Sequence, residues 1–396
     1  MAASLSCCGP WMVFTCRSKL VAVHTKDSRD AFVFDCSSAE RNPKKTKEKK
    51  SSDDVSSEEA GSDRILAVAS SPSGKFLALT DDSKRLIVFR CQPSWCCISS
   101  RWVVRRCMSL SFSGTEEELL VADKAGDVYS FSLTELEKEG ELRMGHLSML
   151  LAVTTSADNR YIITADRDEK IRVSLLRSPF NIQAFCLGHE EFVSFLHIPS
   201  GHPHWLLSGS GDGTVKLWEF HSGLRMQSRD LRKSDDTETE KNVTVSRICS
   251  SPDGRYVAVQ CERVATLQIF TLDGEEEKKL VPQCELTPPH CPVDVTFDPE
   301  GRLWVLMESH DVPLQIYCCE QSSWENQPAN ADLIRVTEAF RPHWELQDAC
   351  VSRYANLHKA SFDNVGVYMQ KKQQRLEQQQ TKRTKVSHTT TTKDKK

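Results

Sequence analysis

The sequence predicts an all-β chain: a seven-bladed β-propeller carrying a short C-terminal helical arm. Three observations carry that reading. Short runs of β-type residues recur in sets broken by turn residues, the central sets begin at 66, 108, 151 and 193, and a Gly-His dipeptide stands ahead of two of them (Gly145-His146 and Gly188-His189). The resulting period of 42 to 43 residues falls within the ~40–45 of WD repeats, in which each unit is one small antiparallel sheet. Such a sheet cannot bury both faces alone. Arranged radially, the sheets cover one another and leave only short edges.

The units follow in order. A weak first copy runs from Trp11 to Cys36, with Leu20-Val21-Ala22-Val23 and Ala31-Phe32-Val33-Phe34 as strands. Leu66 to Arg90 carries the turn Ser71-Pro72-Ser73-Gly74, then Phe76-Leu77-Ala78-Leu79 and Leu86-Ile87-Val88-Phe89. Ser-Pro-x-Gly is turn chemistry, because Pro presets φ and Gly tolerates positive φ. Met108 to Leu133 and residues 151–176 repeat the pattern. Residues 192–220 form the clearest unit, ending in Gly209-Ser210-Gly211-Asp212-Gly213-Thr214-Val215-Lys216-Leu217-Trp218. There His189, Asp212 and Trp218 are expected to form a buried hydrogen-bonded set. Ser174 stands where that unit has Trp218, so the preceding set is expected to be incomplete. Val245 to Leu272 and Pro292 to Cys319 complete seven copies.

The expected organisation is a propeller over residues 1–340, a C-terminal extension with a helix over 341–383, and a disordered basic tail over 384–396. Within the propeller, 37–63 and 228–241 are rich in charged and polar residues and read as solvated loops between blades. From Tyr354 to Arg383 the period changes: Phe362, Val365, Met369 and Leu376 fall at helical spacing, and Ser361 or Asp363 can cap the start.

Composition excludes several classes. No run approaches the ~18 apolar residues of a membrane span. The sixteen cysteines include adjacent pairs (Cys7/Cys8, Cys96/Cys97, Cys318/Cys319) and others inside apolar runs. That is a poor disulfide framework, and a reduced intracellular chain is expected. No Cys-x-x-Cys, G-x-S-x-G or H-E-x-x-H occurs. The 209–213 glycines precede a strand rather than the helix of a phosphate-binding loop. A binding scaffold is the reading these residues support. The net charge of −4 divides unevenly: from Arg353 onward eleven Lys/Arg face three Asp/Glu, a local +8, which leaves −12 for residues 1–352. An acidic body with a basic arm is compatible with a nucleic-acid ligand met at the edge.

Two segments stand out. Asp166-Arg167-Asp168-Glu169-Lys170 is five consecutive charged residues in a hairpin, followed by Ile171-Arg172. Mixed charge of this kind serves either as a solvated turn or as a complementary protein interface. Lys124 and Lys84-Arg85 occupy the comparable hairpins of the two preceding units, so basic residues are expected along one rim, where they could help hold a polyanion. On the arm, Lys371, Lys372 and Arg375 line the polar side of the expected helix.

The stretches Leu79-Thr80-Asp81-Asp82-Ser83-Lys84-Arg85-Leu86, Val121 to Phe131, Gly145 to Leu150, Thr164 to Ser174 and Lys359 to Val365 closely resemble the WD-repeat non-catalytic subunit of the tRNA guanine-N7 methyltransferase. The resemblance implies a heterodimer. A methyltransferase-like catalytic subunit would bind S-adenosylmethionine and methylate a guanine in the tRNA variable loop. This chain would hold no cofactor and supply no catalytic group, but would stabilise its partner and help position tRNA. It implies a partner surface at Arg167, Asp168, Glu169, Lys170 and Arg172, with Arg172 able to pair bidentately with a carboxylate. Lys124, Lys371, Lys372 and Arg375 become candidates to face tRNA. Residence in the nucleus, and in the cytoplasm as well, is expected, with 44–50 and 382–385 as import patches. The alternative is a substrate receptor of a ubiquitin ligase, or a general assembly scaffold. Against the receptor, Trp218-Glu219-Phe220-His221 stands where a Trp-Asp-x-Arg would be expected.

Overall fold

The computed structural model describes residues 3–27, 29–40, 61–232, 243–273, 279–345, 352–354, 356–359 and 368–375. Seven four-stranded antiparallel sheets form, each from strands consecutive in the chain. Blade one is β1 (Ser4–Cys8), β2 (Trp11–Cys16), β3 (Lys19–His24) and β4 (Phe32–Asp35). Blade two is β5 (Ile65–Ser70), β6 (Phe76–Asp81), β7 (Arg85–Arg90) and β8 (Cys96–Trp102). Blade three is β9 (Cys107–Phe112), β10 (Glu118–Asp123), β11 (Asp127–Ser132) and β12 (Glu141–Gly145). Blade four is β13 (Leu150–Thr155), β14 (Tyr161–Asp166), β15 (Ile171–Leu175) and β16 (Ser178–Cys186). Blade five is β17 (Val193–His197), β18 (Trp205–Ser210), β19 (Thr214–Glu219) and β20 (Leu224–Asp230). Blade six is β21 (Val245–Ser250), β22 (Tyr256–Cys261), β23 (Leu267–Leu272) and β24 (Leu280–Leu286). Blade seven is β25 (Pro292–Phe297), β26 (Leu303–Met307), β27 (Leu314–Glu320) and β28 (Ser323–Asn326).

The first strand of every blade lines a central cavity of about 1050 Å³. The second strands are buried on both faces, because neighbouring blades cover each side; Leu77, Leu120, Ile163, Leu207 and Val259 all lie in the core. The Ser-Pro-x-Gly turns form as the residues dictate. Gly254 holds φ +73, and a Cβ there would sit 1.9 Å from the Ser200 carbonyl oxygen, so only glycine fits. The Ser251 hydroxyl accepts from the Tyr256 amide at 2.9 Å and closes the turn.

No strand is exchanged between first and last blades. They meet instead under a helix the sequence reading did not anticipate, α1 (Ala331–Phe340), capped by the Asn330 side chain. Leu333, Val336 and Phe340 pack with Met12, Phe14, Trp304 and Ile316 in one cluster, and Phe14 stacks on Phe340 at 4.0 Å. Arg302 pairs with Asp298 at 2.6 Å and Asp332 at 2.8 Å, tying the helix to blade seven.

The first compact unit spans Met1–His358 and the second Lys359–Lys396. Several sequence expectations shift accordingly. The segment from Tyr354 is not helical at its start: residues 352–354 and 356–358 form turns on the propeller, where Tyr354 stacks on Phe192 at 5.6 Å. Helix is present at 368–375; Phe362, Val365, Leu376, the caps Ser361 and Asp363, and the tail 384–396 lie outside the described residues. The expected loop at 228–241 begins later, since Ser228, Arg229 and Asp230 belong to β20. The expected loop at 37–63 is anchored at both ends. Arg85, read from sequence as a rim cation, is fully buried. Its guanidinium contacts Asp81 at 2.6 Å, Asp63 at 2.5 Å and the Ala39 carbonyl at 3.0 Å. A local partner across the hairpin, Asp81, and a second acid that the fold brings in, Asp63, account for the difference.

Candidate partner interface on blade four

The site is built on the hairpin that joins β14 to β15. Asp166 ends β14, and its carboxylate does two things: Oδ1 accepts from the Lys170 amide at 3.0 Å, and Oδ2 meets His146 Nδ1 at 2.9 Å. His146 Nε2 meets Thr164 Oγ1 at 2.8 Å. Blade five carries the fuller version. His189 Nδ1 meets Asp212 at 2.9 Å, His189 Nε2 meets Ser208 Oγ at 2.7 Å, and the Trp218 indole donates to the same Ser208 oxygen at 2.8 Å. Burial pushes the His189 imidazole down from its ordinary value, against the pull of Asp212. Burial acts to raise Asp212, but hydrogen bonds from His189 and Thr214 outweigh it and hold the carboxyl down. The consistent assignment is a neutral His189 donating from Nδ1 to an ionised Asp212, with Ser208 donating to Nε2. In blade four the Trp218 position is Ser174, whose buried hydroxyl has no partner among the described residues.

Glu169 holds φ +69, where the matching positions of blades three and five carry Gly126 (φ +101) and Gly213 (φ +74). A non-glycine residue in this region costs on the order of 1 kcal/mol. Blade two does the same with Lys84 (φ +68), so two hairpins keep a charged side chain where blades three and five use glycine. Arg167, Asp168 and Lys170 are exposed. The Arg167 amide donates to Met149 and its Nε to the Leu357 carbonyl at 3.4 Å. Lys170 Nζ lies 3.1 Å from the Asp168 carbonyl oxygen.

Arg172 lies on β15, opposite Thr164 on one side and Phe185 on the other. Strand alternation sends Ile171 and Val173 into the contact with blade five and Arg172 toward blade three. There Nη1 donates to the Gly145 carbonyl at 3.1 Å, and buried Nε has no partner among the described residues. Burial lowers the guanidinium's pKa, against the pull of Asp166. The structure thus brings Arg167, Asp168, Glu169, Lys170 and Arg172 together on one end of blade four. Lys124 is exposed on the equivalent hairpin of blade three. Lys371, Lys372 and Arg375 are exposed on the 368–375 helix of the second unit, and Tyr368 shares their face at i, i+3, i+4 and i+7. Sequence reasoning missed Leu147, which protrudes into solvent from the loop between blades three and four. An apolar residue between a Gly-His pair and a strand was the only available signal. Among the described residues no group of His, Cys, Asp or Glu is arranged to hold a metal ion.

A seven-bladed closed propeller with a charged hairpin and an adjoining half-buried arginine defines a WD40-type propeller protein. The family described as the tRNA methyltransferase TRM82 WD40 domain matches residues 17–144 and 134–336, and the chain belongs to that family. Among its relatives, the "tRNA (guanine-N(7)-)-methyltransferase non-catalytic subunit wdr4" of Danio rerio is 55% identical over 379 residues, covering 94% of this chain and 92% of the relative. The WDR4 proteins of the same description from Mus musculus and Homo sapiens are 43% and 41% identical, over 94% and 93% of this chain and 91% and 90% of theirs. Among solved structures, RRP9 WD40 repeats (TM-score 0.61) and U3-55K (TM-score 0.60) are each 17% identical. Both cover 77% of this chain, and 87% and 88% of their own; they share the fold.

Proposed function

We propose that this chain is the non-catalytic subunit of a tRNA guanine-N7 methyltransferase complex. The observation that carries the reading is identity of 41–55% over more than nine-tenths of this chain with proteins named for that role. In this reading the catalytic subunit binds S-adenosylmethionine and performs methyl transfer, and this chain contributes no reacting group. Its hairpin residues Arg167, Asp168, Glu169 and Lys170, with Arg172, meet the catalytic subunit. Arg172 is held ready by the Gly145 carbonyl, which lowers the ordering cost of pairing with a carboxylate. Lys124 and the Lys371, Lys372 and Arg375 face approach tRNA phosphates, and the complex works in the nucleus.

Reconstitution tests the proposal. The chain alone is expected neither to bind S-adenosylmethionine nor to methylate tRNA, while its addition to the catalytic subunit raises guanine-N7 methylation. Full activity of the catalytic subunit without this chain would overturn it. Arg172→Glu is expected to abolish co-purification of the two subunits, and unchanged co-purification removes Arg172 from the interface.

A further inference from the structure

We propose that the outer edge strand of blade four, β16, is the apolar half of the surface that receives the catalytic subunit, with Phe180, Ile182 and Phe185 as its anchors. The proposal rests on the reading of this chain as a non-catalytic subunit and deepens it. Nothing in the hairpin chemistry alone requires this strand.

Two rows of side chains cross the face of blade four from the axis to the rim. Register places Val153, Thr164, Arg172 and Phe185 in one row, and Thr155, Ile162, Ser174 and Ile182 in the next. Val153, Thr164, Ile162 and Ser174 are buried, Val153 and Ile162 in a cluster with blade three, while Thr155 and Arg172 are half-buried. The outermost lie open: Phe185 is 41% exposed, Ile182 46% and Phe180, two residues further along, 80%. Cross-strand neighbours of this kind have Cβ atoms ~5 Å apart, so the Arg172 stem and the Phe185 ring form one surface. Both orphaned buried polar atoms of β15, Arg172 Nε and Ser174 Oγ, belong to these rows.

The edge strand differs from its six counterparts. The outer strands of the other blades each carry a charge: Asp35, Arg101, Glu141 and Arg143, Arg225 with Arg229 and Asp230, Glu285, and Glu325. The nine residues Ser178–Cys186 carry none. Edge strands are protected from strand pairing by charge, proline or bulges. Pro179 and two register shifts serve β16 in that respect, but its uncharged aromatic side chains leave an apolar surface suited to a covering partner. Continuity with the Arg172 hairpin selects the occupant as the catalytic subunit. Aromatic anchors beside a desolvated arginine are the composition of a binding hot spot.

The test measures affinity between the purified catalytic subunit and four forms of the full-length chain: wild type, Phe180→Asp/Ile182→Asp, Phe180→Ser/Ile182→Thr and Arg172→Glu. The second pair keeps strand-compatible side chains should the first fail to fold. Expected are wild-type melting temperatures for the strip variants and at least a tenfold weaker Kd. Wild-type affinity in both folded strip variants, with Arg172→Glu defective, overturns the strip and leaves the subunit assignment intact. A wild-type chain that does not bind the catalytic subunit overturns the assignment itself. A wild-type dimer that the strip variants convert to monomer, with catalytic-subunit affinity unchanged, gives the strip to a second copy and also overturns the proposal.

Discussion

Replacing Arg85 by methionine isolates the energetic role of a single buried cation. Arg85 has no exposed surface. It pairs with Asp81 and Asp63 and donates to the Ala39 carbonyl. Methionine fills much of the volume but leaves two carboxylates without a counter-ion. Removing one partner of a buried pair costs ~3–5 kcal/mol, and each lost hydrogen bond to a backbone carbonyl adds about 1 kcal/mol. A loss of about 4–5 kcal/mol is expected. For a unit of this size that is roughly a 6 °C fall in Tm, measured by scanning fluorimetry at pH 7. The pH dependence sharpens the test. Burial already raises Asp81 against the pull of Arg85, and losing Arg85 raises it further. A folded pKa above the unfolded one means the folded state binds more protons, so acidification favours folding at this site. The deficit of Arg85→Met relative to wild type is therefore expected to shrink between pH 7 and pH 5. A Tm within 2 °C of wild type at pH 7, or a deficit that grows in acid, would refute the reasoning.

Two further outcomes follow from blade five. Trp218→Phe removes the indole donor to Ser208 and is expected to cost about 1–3 kcal/mol in denaturant unfolding, with the β-sheet circular dichroism unchanged. His189 is held neutral by burial, whereas in the unfolded chain it takes up a proton near its ordinary pKa of ~6.5. Its folded pKa is depressed, so the stability it contributes is present above that value and lost as pH falls below it. Unfolding free energy is expected to fall from pH 7.5 to pH 5.5, with a shallower slope in His189→Gln. An identical slope in the variant would assign the acid sensitivity elsewhere.

Blade number and period were readable because the second and third strands are buried on both sides and appear as apolar runs, as in Tyr256–Cys261. The His189, Asp212 and Trp218 set was legible for the same reason: polar residues at fixed offsets from such runs have to satisfy one another. Beyond blade one, whose β4 shows as Phe32-Val33-Phe34, the fourth strands were not legible. Leu224–Asp230 is largely exposed and reads as a polar loop. Helix α1 was missed because its apolar positions answer to a surface that exists only after blades one and seven meet. In the candidate site, the hairpin charges were visible, but the burial of Arg172 and its pairing with Phe185 depend on strand register. Arg85 shows the converse: three residues that look alike in the repeat, one of which meets Asp81 across its own hairpin and Asp63 from the preceding connection.

Because each blade is made of four successive strands, each can complete its own hydrogen bonding as it leaves the ribosome, without waiting for a strand from elsewhere. Closure is different. The contact between first and last blades acquires its covering layer only when α1 emerges. The mouth of the cavity is crossed later still, by the turn in which Ser352 and the Arg353 amide hold Glu262 and Tyr354 packs on Phe192. During synthesis the chain is therefore an open arc of finished sheets, and its two ends stay exposed to chaperones until residues near 358 are free. A nonsense mutation between residues 300 and 330 would leave most blades complete and remove the helix that covers the closing contact.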